Sequence, residues 1–169
     1  METLGLVQAG ACPFRGRGPA VDRYATAFFT KKAELADLVC DEWVVLSERN
    51  GVIDPDAEVE GVDREFTELE PAERARWATD VVAEVSSRVR KNEFDRVVVF
   101  ADRPVRTALK DRGGLLSRVA AAGADTVEPL SGIGGRDRQE RWLDEQLAIR
   151  REAADPAADD IDADLDELS

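Results

Sequence analysis

Polar side chains that could carry chemistry follow the second apolar run of this chain. Ser47, Glu48, Arg49 and Asn50 come directly after that run and are followed by Gly51. In an open α/β sheet, ligands bind at the carboxyl ends of the strands. A strand that enters a polar, glycine-bearing turn therefore predicts a ligand site at this turn.

Arginines occupy a second loop of the same kind. Arg15 and Arg17 lie within residues 10–19, after the first apolar run, and Asp102 follows the third. Parallel strands end at one edge of a sheet, so we expect these loops to meet the Ser47 turn. A guanidinium fork suits phosphate or carboxylate oxygens. The alternative is that 19 arginines must lie somewhere, and loops are the default place.

A glycine-rich segment precedes the last predicted helix. Gly132, Gly134 and Gly135 could let a phosphate approach the N–H groups of the helix N-terminus. Their spacing fits neither a Walker loop nor the dinucleotide-binding pattern. The alternative is a tight turn that needs positive φ.

Catalytic residue types are scarce because the chain has no histidine. Glu48 or Asp22 is the candidate general base, and Cys12 is a candidate nucleophile if the neighbouring arginines lower its pKa. Cys12 could equally be a packed residue. Tyr24, the only tyrosine, stands at a predicted helix start, where its hydroxyl could reach a ligand or cap a loop. Two cysteines without a CxxC spacing predict no metal site, and nothing predicts a cofactor.

The charge balance is extreme, with 36 acidic against 23 basic residues and a net charge of −13. Only four of the basic residues are lysines. This composition predicts a protein of a high-salt cytoplasm, where salt screens the self-repulsion. The alternative is an acidic protein that binds partners and avoids nucleic acid. In the first case the charge does not exclude tRNA or DNA as partners. No signal peptide or membrane-length apolar run is present, so we expect a cytoplasmic protein without membrane contact.

Strand and helix patterns alternate along the chain. Strands are predicted at residues 3–9, 43–46, 94–100 and 126–128, and helices at 24–40, 71–89, 104–122 with a break at Gly113-Gly114, and 136–148. This order predicts a three-layer α/β/α sandwich with a mainly parallel sheet of about four strands, Rossmann-like or similar. We expect one domain over residues 1–150 and a disordered acidic tail over 151–169, with a transient helix at 161–168 as the alternative.

Several segments share a pattern that reaches beyond single motifs. They are Ala20-Val21-Asp22-Arg23-Tyr24, Phe28-Phe29, Lys31-Lys32, Trp43-Val44-Val45-Leu46-Ser47 with Gly51, Pro55 and Asp63, Arg74-Ala75-Arg76-Trp77-Ala78, and Gly132-Ile133-Gly134-Gly135 with Gln139, Trp142 and Leu143. Over residues 4–147 the chain resembles a small family of unknown function from bacteria, phages and haloarchaea. The family's Ser-Lys-x-Lys is here Pro13-Phe14-Arg15-Gly16-Arg17, and its Ala-Lys-Tyr before Gly is Glu48-Arg49-Asn50.

More distantly, the order of these segments is similar to the uracil-DNA-glycosylase-like middle domain of archaeosine synthase. The resemblance implies a uracil-DNA-glycosylase-like fold and a nucleotide- or nucleoside-binding protein tied to nucleic-acid base modification or processing. Glycosyl transfer or hydrolysis would be the reaction class. The alternative is a non-catalytic interaction module whose active site has decayed. Whether catalysis occurs, and the oligomeric state, stay open.

Overall fold

A computed structural model describes residues 2–11, 16–24 and 26–154 of the chain. The strands in this part are β1 (Thr3–Gln8), β2 (Gly18–Pro19), β3 (Glu42–Ser47), β4 (Gly51–Ile53), β5 (Glu58–Val59), β6 (Arg96–Phe100) and β7 (Asp125–Val127). The helices are α1 (Ala20–Arg23), α2 (Ala27–Val39), α3 (Pro71–Asn92), α4 (Arg103–Asp111), α5 (Leu115–Ala121) and α6 (Arg136–Ala154), with a short 3₁₀ helix at Phe66–Glu68.

The main sheet has five strands in the order β4-β3-β1-β6-β7. Strand β1 pairs in parallel with β3 and β6, and β6 pairs in parallel with β7. Strand β4 is antiparallel to β3, because the chain reverses at Gly51, whose φ is +71°. The predicted α/β class with a mostly parallel sheet is confirmed. The count of four strands was short by one, since we took residues 51–53 as part of the turn.

Helices lie on both faces of this sheet. Leu4 and Leu6 of β1 belong to an apolar cluster with α3, α4 and α5. Gly5 faces the opposite side of β1. A Cβ added there would lie 3.0 Å from Cys40 Sγ and 3.5 Å from Ala36 Cβ of α2. All six residues of β1 are buried, as expected for a central parallel strand covered on both sides.

Helix α3 confirms the helix predicted over residues 71–89. Pro71 occupies its first turn, where a missing N–H costs nothing. Val81, Val85 and Val89 recur every four residues and are all buried. The helix ends at Glu93, whose φ of 55° turns the chain out of the helix.

The helix predicted over residues 104–122 is broken at the two glycines, as expected. Gly114 has a φ of +66° and precedes α5. Gly113 lies so close to α3 that an added Cβ would be 2.5 Å from Val82 Cγ2 and 2.8 Å from the carbonyl oxygen of Ala78. The break therefore lets the end of α4 pack directly against α3.

Tyr24 is outside the helix that we predicted to begin there. The short helix α1 ends just before it, and α2 begins at Ala27. The boundary is set by Thr26, whose side chain accepts a hydrogen bond of 3.2 Å from the backbone N–H of Phe29. Ala20 N–H and Val21 N–H bond the carbonyl oxygens of Ala57 and Pro55, which ties α1 to the connection after β4.

The chain divides into two compact units, residues 1–132 and residues 133–169. In the second unit, α6 runs to Ala154, past the end we predicted at residue 148. Its buried residues Gln139, Leu143 and Leu147 are spaced by four. The single domain over 1–150 stays a prediction, and residues 155–169 of the predicted tail lie outside the described part. Within that described part, no helix is long and apolar enough to cross a membrane.

Gly113→Ala is expected to destabilise the protein by about 1–3 kcal/mol, because the new methyl group collides with backbone and side-chain atoms of α3. Urea unfolding monitored by tryptophan fluorescence measures the change. Gly134→Ala is the matched control, since Gly134 lacks a positive φ and has no atom within 4 Å of an added Cβ. Equal stability of the two variants would contradict the close packing of α4 on α3.

Candidate functional site

Strands β1, β3 and β6 end at one edge of the sheet, as their parallel pairing requires. Gln8 ends β1, and its side chain exchanges two hydrogen bonds with Asp102, which follows β6: Gln8 Nε2 donates to Asp102 Oδ2 at 3.1 Å, and Asp102 N–H donates to Gln8 Oε1 at 2.8 Å. Asp102 Oδ1 also accepts from the N–H of Val105 at 3.3 Å and so caps α4. This candidate ligand residue therefore joins two strand ends and a helix.

A lysine is buried at the same edge. Lys32 of α2 is 2 % exposed, and its ammonium donates to the carbonyl oxygen of Gln8 at 2.8 Å. The ammonium also lies 4.3 Å from the centroid of the Phe28 ring, within range of a cation–π contact. The lysine thus adds positive charge beside the end of β1.

Ser47, at the end of β3, is the centre of a buried polar network. Its hydroxyl lies 2.6 Å from Asp63 Oδ2, and the hydroxyl of Tyr24 lies 2.8 Å from the same oxygen. The N–H of Asn50 donates to Ser47 Oγ at 3.0 Å, so the serine accepts from the turn and donates to the carboxylate. Ser47 and Tyr24, two of the predicted ligand residues, are therefore brought together by an aspartate.

Asp63 itself was not among our predicted site residues. It is 2 % exposed, and its second oxygen, Oδ1, is buried without a hydrogen-bond partner among the described residues. A buried acceptor without a donor is costly, so it marks either strain or a place for a ligand donor. Only the family pattern singled out Asp63 in the sequence, because nothing in its neighbourhood distinguishes it from the other acidic residues of the connection.

The backbone at Ser47 is held from the other face of the sheet. Trp77 of α3 donates from Nε1 to the carbonyl oxygen of Ser47 at 2.8 Å. The Trp77 ring packs on Phe66 with centroids 5.0 Å apart. Serine backbone and side chain are therefore both fixed, which gives the Asp63 carboxylate a defined position.

Glu48 is the centre of an ion-pair network. Arg64 donates to it three times: from its backbone N–H to Oε2 at 2.8 Å, and from Nε and Nη2 to Oε1 at 3.1 and 2.9 Å. Arg64 also bonds Glu73 at 3.1 Å, and this hydrogen bond lowers the pKa of the Glu73 carboxyl. Glu48, the predicted general base, thus anchors the turn after β3 to the segment that carries Asp63. The carboxylate that contacts Ser47 is that of Asp63, not that of Glu48.

Two guanidinium groups converge on Gly61, two residues before Asp63. Arg23 Nη2 donates to the Gly61 carbonyl oxygen at 2.6 Å. The guanidinium of Arg49 lies against the glycine, since an added Cβ would be 2.5 Å from Arg49 Cζ. Arg49 is exposed at this position. Its role as an anion ligand stays a prediction, and the structure adds Arg23, which was not among the predicted site residues, beside it.

Of the remaining predicted residues, Arg17 and Asp22 lie apart from this network. Arg17 forms an exposed ion pair of 2.9 Å with Glu58. Asp22 is exposed and lines a groove along α2. Cys12 and Arg15 lie outside the described residues. Asn50 belongs to the Ser47 turn, and its Nδ2 lies 3.4 Å from Ser47 Oγ.

The glycine-rich segment has the turn geometry that we gave as its alternative reading. Gly132 and Gly135 have φ of +84° and +80°, while Gly134 has no positive φ, and all three are exposed. In the second unit, Gln139 donates from its backbone N–H to the Gly135 carbonyl oxygen at 3.1 Å and from Nε2 to that of Ile133 at 3.0 Å. These bonds fix the start of α6, and a phosphate role for the segment stays a prediction.

Of the two cysteines, only Cys40 is among the described residues, and it takes no part in the contacts given above for this network. Cys40 follows α2, and burial raises the pKa of its thiol from 9.0 to about 12, with a smaller effect from the charge of Asp41. Over residues 2–11, 16–24 and 26–154, no three Cys, Asp or Glu side chains are grouped so that they could hold a metal ion.

Comparison with protein-family models shows which family this chain matches. A family model described as "Family of unknown function (DUF6884)" matches residues 7–145, which is well over half of the chain. No curated protein matches the chain, and no solved structure matches it.

Tyr24→Phe and Ser47→Ala are each expected to lower the free energy of unfolding by about 1–3 kcal/mol, because each removes a donor from the buried Asp63 carboxylate. The loss of unfolding free energy in the double variant should differ from the sum of the two single losses by about 0.5–3 kcal/mol, since both hydroxyls contact one oxygen. Urea unfolding measures all three. Ser87→Ala, at an exposed position of α3, is the control and should change stability by less than about 0.5 kcal/mol. Strict additivity would contradict the shared contact.

Cys40 is expected to resist thiol reagents at neutral pH, because a thiol with a pKa near 12 holds almost no thiolate there. A Cys12→Ser variant leaves Cys40 as the single thiol. Its reaction with a chromogenic disulfide reagent should be slow in the native protein and fast in denaturant. Rapid labelling of the native variant would show that the thiol is accessible and ionised.

Proposed function

We propose that this chain, which belongs to the DUF6884 family of unknown function, binds a nucleotide or nucleoside at the carboxyl edge of its sheet. The observation that carries the proposal is Oδ1 of Asp63, a buried carboxylate oxygen without a partner among the described residues. It lies in the segment packed against the end of β3, where ligands bind in open α/β sheets.

Asp63 supports a ligand that donates hydrogen bonds. Its Oδ2 already accepts from Tyr24 and Ser47, so the carboxylate is oriented before any ligand arrives. The free energy lost at an unmet buried acceptor, about 1–3 kcal/mol, is recovered when a donor reaches it. Nucleobases carry ring N–H and amino donors, and ribose carries hydroxyls, which match this requirement.

The arginines near Gly61 support an anionic group on the same ligand. Arg23 and Arg49 both contact Gly61, two residues from Asp63 along the chain. A phosphate would bring their positive charges together and accept bidentate hydrogen bonds. A nucleoside phosphate has a donor-bearing base or sugar at one end and an anion at the other, in keeping with this pair of features.

The wider role is part of the same proposal. A three-layer α/β/α sandwich of the uracil-DNA-glycosylase-like kind would bind a nucleotide of tRNA or DNA in a halophilic cytoplasm, in base modification or processing. Glycosyl transfer or hydrolysis is the reaction class, with Asp63 as the carboxylate that acts as base or nucleophile.

A non-catalytic interaction module is the second candidate. The contacts of Glu48 favour this candidate, because the Glu48 carboxylate accepts three hydrogen bonds from Arg64 and so has a structural role. Deleting residues 155–169, which keeps all of α6, separates the two candidates. The first expects nucleotide binding to be unchanged by this deletion, and the second expects the deletion to abolish binding of a partner protein.

Nucleotide binding is expected to raise the melting temperature, since a ligand that binds only the native state stabilises it. The screen uses nucleobases, nucleosides, nucleotides and phosphosugars, in the lowest KCl concentration that keeps the chain folded. Arg49→Gln should weaken the binding of phosphate-bearing ligands about tenfold or more, the loss typical of a charged hydrogen bond. Arg90→Gln, at an exposed position of α3, should leave it unchanged.

Asp63→Asn tests the centre of the site. The amide oxygen can keep its bonds to Tyr24 and Ser47, and the amide nitrogen then stands where the ligand's donor would be. Binding should be lost while the folded state, checked by circular dichroism, is kept. No shift with any ligand class would reject the nucleotide proposal, and a full shift in the Asp63→Asn variant would reject Asp63 as the ligand residue.

A further inference from the structure

A second surface, separate from the Asp63 network, runs along α2. The groove encloses about 550 Å³ between α1, α2 and the start of β3. Its apolar lining comes from Val21, Phe29, Ala33 and Trp43. Val21 is 39 % exposed in the structure, although it is aliphatic. Phe29 and Ala33 form its nearly buried floor, and Val21 and the half-buried Trp43 are the apolar side chains that it exposes to solvent.

Acidic side chains complete the lining. Asp22 lies at the α1 end of the groove, and Glu34 and Asp37 follow along α2. Among the described residues that line the groove, there is no lysine or arginine. Asp37 accepts a hydrogen bond of 3.3 Å from Trp43 Nε1, so an indole and a carboxylate stand together at the β3 end. The groove therefore offers apolar, aromatic and negatively charged surface side by side.

We infer that this groove binds an arginine- or lysine-bearing segment of a partner protein. Long cationic side chains have an apolar stem and a charged head, and they need both kinds of surface at once. A guanidinium or ammonium near the indole adds a cation–π contact. The negative lining repels phosphate, which excludes nucleic acid as the occupant of this groove.

The length of the groove favours a peptide over a compact cation. Thr30 and Asp37 both line it, and seven residues of helix separate them by about 10 Å. An extended chain covers that distance in about three residues, with alternate side chains on the same side. A short extended segment can therefore place two basic side chains along the groove.

The test measures binding of a fluorescein-labelled peptide in which Arg and Leu alternate, by anisotropy. An ionic strength of about 0.15 M limits long-range attraction to about 8 Å. Asp22→Asn combined with Asp37→Asn should weaken binding about four- to twenty-fivefold, from a two- to fivefold loss at each exposed ion pair. Asp80→Asn combined with Glu93→Gln changes the net charge equally on exposed positions of α3 and its cap, and should leave binding unchanged.

Three outcomes would overturn the inference. Equal weakening in the two double variants would mean that only net charge attracts the peptide. Equal binding of a peptide with citrulline in place of each Arg would mean that the cation is not recognised. Full displacement of the peptide by spermine would mean that the groove binds a small polyamine and not a peptide segment. Melting curves of both double variants establish that each is folded before binding is compared.

Discussion

The contact between the Ser47 hydroxyl and the Asp63 carboxylate joins more of this molecule than any other described contact at the sheet edge. Ser47 ends the strand next to the central one, and Asp63 belongs to the long acidic connection that follows β4. Through Tyr24 the same carboxylate holds the end of α1, and through its carbonyl oxygen Ser47 is bonded to Trp77 of α3. Because a strand, a loop and two helices meet at one buried pair, the position of each depends on that pair.

The sequence was most informative where a pattern is local and long. Strands β1, β3 and β6 are continuous apolar runs, the form expected of strands buried on both faces, and α3 has both a proline start and a four-residue stripe. Short elements were harder to predict, and β4 was missed because its three residues, of which the first is Gly51, do not differ in sequence from a turn. The helix boundary at Thr26 depends on one side-chain hydrogen bond, which a periodicity search does not detect.

The candidate site was predicted in part for the same reason. Ser47 and Asn50 were predicted at the correct edge of the sheet, because the carboxyl ends of parallel strands lie at the same edge. Asp63 is 16 residues away from Ser47 and Arg64 is 16 away from Glu48, and no local spacing relates them. Such pairs arise only when the acidic connection folds back on the turn. Acidic residues are common throughout this chain, so their type alone could not identify the one that is buried.

The preference for arginine over lysine has a structural basis in several places. Arg64 bonds two glutamates, Arg88 bonds Asp54 and Glu84 at 3.0 Å each, and Arg74 donates to the carbonyl oxygens of Leu69 and Thr67. Each of these contacts uses more than one donor of a planar fork, which a lysine ammonium satisfies less well. Arg64 and Arg88 are therefore structural cross-links between acidic residues.

The two outer strands of the sheet, β4 and β7, are each only three residues long. A sheet can grow by adding a strand from another molecule at its edge, and the free energy gained depends on how many backbone groups the edge offers. The net charge of −13 keeps copies apart in dilute buffer, but concentrated salt removes that repulsion. Short outer strands offer few backbone groups for pairing at any ionic strength. At high ionic strength, the short outer strands, rather than the surface charge, thus limit the edge that another molecule could pair with.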